Sequence, residues 1–180
     1  MRRLIVSELL TLDGVMEDST PWHRDYRSPE SGQFKSGELF GSDTLLLGRV
    51  TYGGFADYWP TVTDTGAFGE RMNSLPKYVV SGTLKEAHWN NSHIIRENIA
   101  GEVARLKTQE GQDILVYGSG ELSRFLLAQG LVDQLNLLIY PVVLGQGKRL
   151  FGEGAGPNLT LTDSRTFSSG VVLLQYHPAR

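Results

Sequence analysis

Three short stretches of the chain bring together bare backbone, hydroxyls and a guanidinium in patterns suited to holding phosphate. The first is LVYGSGELSRFLLAQ, Leu115 to Gln129, in which an apolar run meets Gly118, Ser119 and Gly120 and then an amphipathic segment. A strand that passes through such a turn into a helix presents free N–H groups, and the positive end of the helix dipole, to whatever lies above the sheet. The missing side chains also let a pyrophosphate approach the backbone closely. A tight turn with positive φ asks for glycine equally, with no ligand involved. The second stretch is LLLGRVTYGGF, Leu45 to Phe55, where Gly48 is followed by Arg49 and Thr51. A guanidinium beside free N–H groups forks onto phosphate oxygens; a surface salt bridge is its ordinary alternative use. The third, Val80-Ser81-Gly82-Thr83, repeats the pattern with hydroxyls. Three strand ends of like chemistry fit one ligand laid across the carboxyl edge of one sheet. Neither a Rossmann fingerprint nor a P-loop accounts for them, because Ser123 takes the place of the third glycine and no Gly-Lys-Ser/Thr opens the helix.

These turns need strands beneath them and helices beyond them, and the periodicity supplies both. Leu4 to Leu10 reads as a buried strand closed by Asp13-Gly14, and Asp43 to Arg49 as a second. Tyr78 to Ser81, Ser92 to Arg96, Asp113 to Tyr117 and Gln134 to Val143 continue the series. Between them, Ser28-Pro29-Glu30 carries the cap, proline and acidic first turn of a helix start. Thr51 to Trp59, Asn98 to Gln109 and Gly120 to Gln129 are further helices, whereas Met16 to Arg27 and Pro60 to Gly69 read as irregular. Leu159 to Phe167 and Val171 to Tyr176 close the chain as a hairpin. The expected architecture is α/β, with a mixed, mostly parallel eight-stranded sheet and an antiparallel edge, in one domain over residues 1–180.

The chain has 180 residues, a net charge of −3 and no cysteine. That balance argues against a dominant basic face for nucleic acid or anionic lipid. Lack of cysteine removes disulfides, thiolate nucleophiles and Cys-based metal sites, and it gives the expectation of a reducing, cytoplasmic location. Glu8 and Asp13 interrupt the first apolar run too early for a signal peptide, and no segment is long enough to span a bilayer. The four histidines, at 23, 88, 93 and 177, lack metal-ligand spacing, so no metal is expected. Hydrolase chemistry has no support, because the chain has no Gly-x-Ser-x-Gly elbow.

Taken with Thr11-Leu12-Asp13-Gly14, Leu47 to Tyr52, Val80 to Leu84, Tyr117 to Gly120 and LVDQLNLLIYPVVLGQGKRLF (Leu131 to Phe151), the sequence resembles the dihydrofolate reductase fold over essentially its whole length. Within that fold, PVVLGQGKRLF is similar to the riboflavin-biosynthesis reductase (RibD C-terminal) type rather than to folate enzymes. The resemblance implies a three-layer α/β/α reductase that binds NADPH across the strand ends and passes hydride to a small heteroaromatic or carbonyl substrate. It implies that Gly48, Arg49 and Thr51 meet the phosphate and adenosine side. Ser81, Gly82 and Thr83 would meet the ribose phosphate, Gly118, Ser119, Gly120, Glu121 and Leu122 the pyrophosphate, and Asp13, Gly14 and Val15 the nicotinamide. Glu121 stands where folate reductases often carry arginine, which leaves NADH open beside NADPH. The resemblance further implies a homodimer.

On the substrate side, the folate enzymes use a carboxylate on the first helix, and Glu30 lies nearest that place, followed by Phe34 and Lys35. A first-turn acid complementing the helix dipole is the alternative use of Glu30. Trp22, Phe34, Phe55 and Trp59 can wall a flat pocket or serve as covering aromatics with no ligand. Two further readings remain beside the reductase: a nucleotide-binding protein of this fold without turnover, and a free-standing pyrimidine reductase.

Overall fold

Residues 1–152 and 156–179 are described by the computed structural model. The expected strands form as β1 (Leu4–Thr11), β2 (Ser42–Gly48), β3 (Lys77–Val80), β4 (Ser92–Ile95), β5 (Asp113–Tyr117), β6 (Gln134–Tyr140), β7 (Leu159–Thr166) and β8 (Val172–Pro178). They make one sheet in the order β4-β3-β2-β5-β1-β6-β8-β7. The first six strands run parallel, while β8 pairs antiparallel with β6 and β7 antiparallel with β8. The central strands carry apolar residues at successive positions because both of their faces are covered. Leu46, Ile114 and Val116 pack on one side, with Leu45, Leu47 and Leu115 on the other.

The helices are α1 (Thr20–His23), α2 (Pro29–Phe40), α3 (Arg49–Tyr58), α4 (Gly66–Ser74), α5 (Ile99–Thr108) and α6 (Gly120–Ala128). Val103 and Leu106 of α5 and Leu122 and Leu126 of α6 enter one core, whereas Leu39 of α2, Tyr52 of α3 and Met72 of α4 enter the opposite one. The α2 start is as expected: the Ser28 side chain accepts from the Ser31 N–H and the Ser31 side chain accepts from the Ser28 N–H, closing a capping box.

Two helices form where the sequence signals irregular chain. α4 has no side-chain cap and begins at Gly66 with φ +54°, so the start signals are missing. It persists because Met72, fully buried, docks it onto the sheet. α1 is a single turn pinned by Trp22, whose ring meets Tyr140 edge-on at 5.2 Å.

Among the charged residue types described, Lys77 and Glu8 are the most deeply buried. Lys77 is fully buried and gives its three N–H donors to the carbonyls of Asn73 and Leu75 at 2.8 Å and Asn90 at 3.0 Å, with Nζ 4.2 Å over the Trp89 ring. It thereby ties the end of α4 to the loop before β4, and burial draws its pKa down to about 8. Glu8, on β1, is 1% exposed and accepts from Ser123 Oγ of α6 at 3.0 Å. Burial raises its pKa well above the usual carboxylate range, against the smaller downward pull of Ser123 and Lys35.

Lys77→Met should lower unfolding free energy by about 3 kcal/mol, because it leaves three carbonyls without their donor. Urea denaturation checks this, and a loss under about 0.5 kcal/mol would show that water replaces the ammonium. For Glu8, the folded state holds its proton to higher pH than the unfolded chain does. Its contribution is therefore complete below the ordinary carboxylate pKa and falls as pH rises toward the raised value. Glu8→Gln should flatten that fall, so that its melting temperature overtakes wild type on the alkaline side in a pH 5–9 series.

Candidate active site

β2 and β5 are neighbours in the sheet, yet the helices that follow them leave for opposite faces, α3 to one core and α6 to the other. This divergence opens a crevice at the strand ends, the place where open α/β sheets bind ligands. A hydrogen bond crosses it: the Gly48 N–H donates to Ser119 Oγ at 2.9 Å. The same hydroxyl donates to the Tyr117 carbonyl at 3.1 Å. Because it is so engaged, Ser119 does not cap α6, and Gly48 offers α3 no side-chain cap either. Two helix N-termini thus meet at the crevice with their first-turn N–H groups unserved by cap side chains, an arrangement that favours an anion.

The turn has an unusual backbone. Gly118 has φ +55° and Ser119 has φ +67°, two consecutive left-handed residues. A Cβ on Gly118 would lie 3.1 Å from Thr51 Oγ1, so glycine here meets both the conformation and a close approach to α3. Ser119 costs on the order of 1 kcal/mol in that region, offset by its two hydrogen bonds. From below, Ser123 Oγ also reaches the Gly118 carbonyl at 3.3 Å, linking the turn to Glu8.

The remaining cofactor candidates surround this junction unevenly. Arg49, the first residue of α3, is exposed, with no ion pair among the described residues, and lines a cavity of about 470 Å³ beside α3. Thr51 faces Gly118, as above. Ser81 is buried and its Oγ accepts from the Thr83 and Leu84 N–H groups, so it shapes the turn after β3 and leaves Gly82 and Thr83 exposed. Glu121 is exposed in the first turn of α6, and Leu122 is buried in the core beneath it.

Asp13 is engaged with a neighbouring loop. Its carboxylate accepts from Thr11 Oγ1 at 2.7 Å and from the Leu144 and Gly145 N–H groups, and the Thr11 hydroxyl and Gly145 hold its pKa down at about 2. Gly14 follows with φ +81°, and Val15, buried, pairs with Arg149 in an isolated antiparallel bridge. PVVLGQGKRLF therefore buttresses the loop after β1. That loop in turn lays Met16 against Gly120, whose Cβ, if present, would fall 2.3 Å from the Met16 sulfur. The sequence signals neither Met16 nor Arg124, which donates to the Arg149 and Leu150 carbonyls.

On the α2 side, Glu30 is exposed and accepts from Ser168 Oγ at 2.9 Å and from the Ser168 N–H at 3.3 Å. Its own backbone N–H and Ser168 lower its pKa to about 2, so it clamps the hairpin tip as an anion. The four aromatics divide into two groups. Trp22 and Phe34 belong to a cluster with Tyr140 and Phe167, while Phe55 and Trp59 pack with Trp89 under α3. Deeper on α2, facing β1, the partly open Lys35 meets the buried Glu38, Ser7 and Asn136 in a polar group that the sequence does not announce. Spacing places Lys35 and Glu38 one turn apart, but only packing shows that they point inward.

The family model for the RibD C-terminal domain matches residues 2–173. The uncharacterized protein YyaP of Bacillus subtilis (strain 168) is 37% identical over 180 residues, covering 98% of this chain and 95% of YyaP. Among solved structures, a putative riboflavin biosynthesis protein from Shewanella sp. PV-4 superposes with a TM-score of 0.79 at 22% identity, covering 99% of both chains. Dihydrofolate reductase from Enterococcus faecalis, complexed with NADP(H) and RAB-propyl, gives 0.65 at 15% identity over 99% of this chain and 97% of its own. The fold is that of dihydrofolate reductase, and the chain belongs to the RibD C-terminal domain family.

Proposed function

We propose that the protein is a reductase that holds NADPH across the carboxyl edge of the sheet and passes hydride to a small heteroaromatic or carbonyl acceptor. The observation that carries this reading is the pair of uncapped helix N-termini joined by the Gly48–Ser119 hydrogen bond at the β2–β5 crevice. Family membership supports a reductase-like role, and the Enterococcus faecalis neighbour is itself an NADP(H) complex.

The residues present suit such a cofactor. The N–H groups of Gly120, Glu121 and Leu122 would hold its pyrophosphate, and glycine at 118 leaves room there for the Thr51 side chain of α3. Arg49, exposed and unpaired among the described residues, would take a phosphate as a charge-assisted fork, with the Thr83 hydroxyl beside the ribose. The bound dihydronicotinamide supplies the hydride. What the chain does is to fix the loop after β1 through Asp13 and the Val15–Arg149 bridge, so that one wall of the site is rigid.

Fluorescence titration of the purified protein should show NADPH binding well below about 1 mM. A screen of folate, pyrimidine and quinone acceptors should then find NADPH oxidation. No binding at millimolar cofactor would overturn the reading, and binding with no turnover would make the protein a nucleotide-binding member of its family. Arg49→Ala should weaken NADPH about tenfold, the worth of one charge-assisted contact, and NADH less than twofold. Equal losses would assign Arg49 to another part of the cofactor.

A further inference from the structure

Lys35 is a partly open cation held from several sides. Its ammonium donates to Ser7 Oγ at 2.8 Å and to Glu38 Oε2 at 2.6 Å, and lies 3.9 Å over the Tyr117 ring. The partners are themselves fixed. Ser7 Oγ donates to Glu38 Oε2 at 3.0 Å, and Asn136 Nδ2 donates to Glu38 Oε1 at 2.7 Å. Ser7, Glu38 and Asn136 are all buried, whereas the Lys35 side chain keeps 23% of its surface open. A buried carboxylate that satisfies three donors in this way is a mount that holds one cation in one place.

The mount stands beside the crevice. Ser7 is paired in the sheet with Tyr117, the last residue of β5, and the next residues are the left-handed Gly118 and Ser119. The Tyr117 hydroxyl, whose pKa burial pushes well above its ordinary value, donates to the Lys35 carbonyl at 3.4 Å.

We infer that Lys35 is the proton donor of the proposed reductase, held by the positioning residues Glu38 and Ser7, and that its acceptors carry a ring C=N or C=O group. This rests on the reductase reading. An acceptor of that kind takes hydride at carbon from the dihydronicotinamide, which is oxidised, while the π electron pair moves to the heteroatom. The heteroatom takes a proton from Lys35 Nζ; the N–H pair stays on nitrogen, and the neutral amine regains its proton from water at the open flank. The ammonium also stabilises the charge that develops on the heteroatom before the proton moves.

Two measurements test this. With the acceptor that wild type turns over best, Lys35→Ala should lower kcat about 100-fold or more and leave NADPH binding within twofold. Added methylamine or ethylamine should restore part of the rate, which a merely structural lysine would not allow. Lys35→Ala/Glu38→Gln, which removes the uncompensated buried charge, serves if the single variant fails to fold. Independently of turnover, the Lys35 ammonium resonance in a ¹⁵N-lysine spectrum, assigned by its loss in Lys35→Met, should shift when uracil is added to the NADP⁺-loaded protein.

Wild-type turnover with a variant rate within threefold, or an unmoved ammonium resonance, would overturn the role of Lys35 and leave the reductase reading intact. Wild type that fails to bind NADPH, or binds it and reduces nothing, would overturn both.

Discussion

The hydrogen bond from the Gly48 N–H to Ser119 Oγ spans a place in the sheet where neighbouring strands, β2 and β5, send their helices to opposite faces. The turn before α6 and the start of α3 meet at it. It occupies the hydroxyl that would otherwise cap α6, it holds Ser119 in a backbone region that serine seldom adopts, and it sets the spacing between α3 and α6. A helix terminus left without its cap is unfavourable for folding alone. Here two such termini share one crevice, and the cost is spread over a turn braced from β5 by the Tyr117 carbonyl and from α6 by Ser123.

β1 carries this organisation through the centre of the sheet. Alternation puts Ser7 and Glu8 on opposite faces, and the two faces solve the burial of a carboxylate differently. Toward α6, Glu8 has a hydroxyl for company and no cation at hydrogen-bond distance among the described residues, so its neutral form is favoured. Toward α2, Glu38 is surrounded by an ammonium, a hydroxyl and an amide. The first environment makes a proton hard to remove, and the second holds a cation in a fixed place.

The long PVVLGQGKRLF segment has a mechanical part in the same design. Its backbone N–H groups at Leu144 and Gly145 bind the Asp13 carboxylate, and its Arg149 pairs with Val15. The loop after β1 is consequently strapped from two sides and brings Met16 over the start of α6. Glu30 does comparable work at the other end, joining the first turn of α2 to the hairpin tip at Ser168. Both carboxylates are ionised far below neutral pH because they accept from several N–H and O–H donors at once.

Much of this was legible in the residues themselves. Eight strands, their mixed direction and the glycine turn before α6 follow from periodicity and from the need for positive φ, both local properties of the chain. The capping box at Ser28 is likewise a four-residue pattern. α4 was not legible, because its stability comes from burying Met72 and not from its own cap or composition. Nor was the division of Trp22 and Phe34 from Phe55 and Trp59, which depends on the cores that α2 and α3 enter. By itself the sequence determined which strand ends run through glycine into a helix, since turn and helix-start preferences are local. Only the tertiary structure decided that two of those ends share one crevice and that Lys35 is mounted beside it. Such contacts join residues as far apart as Gly48 and Ser119, and no local preference encodes them.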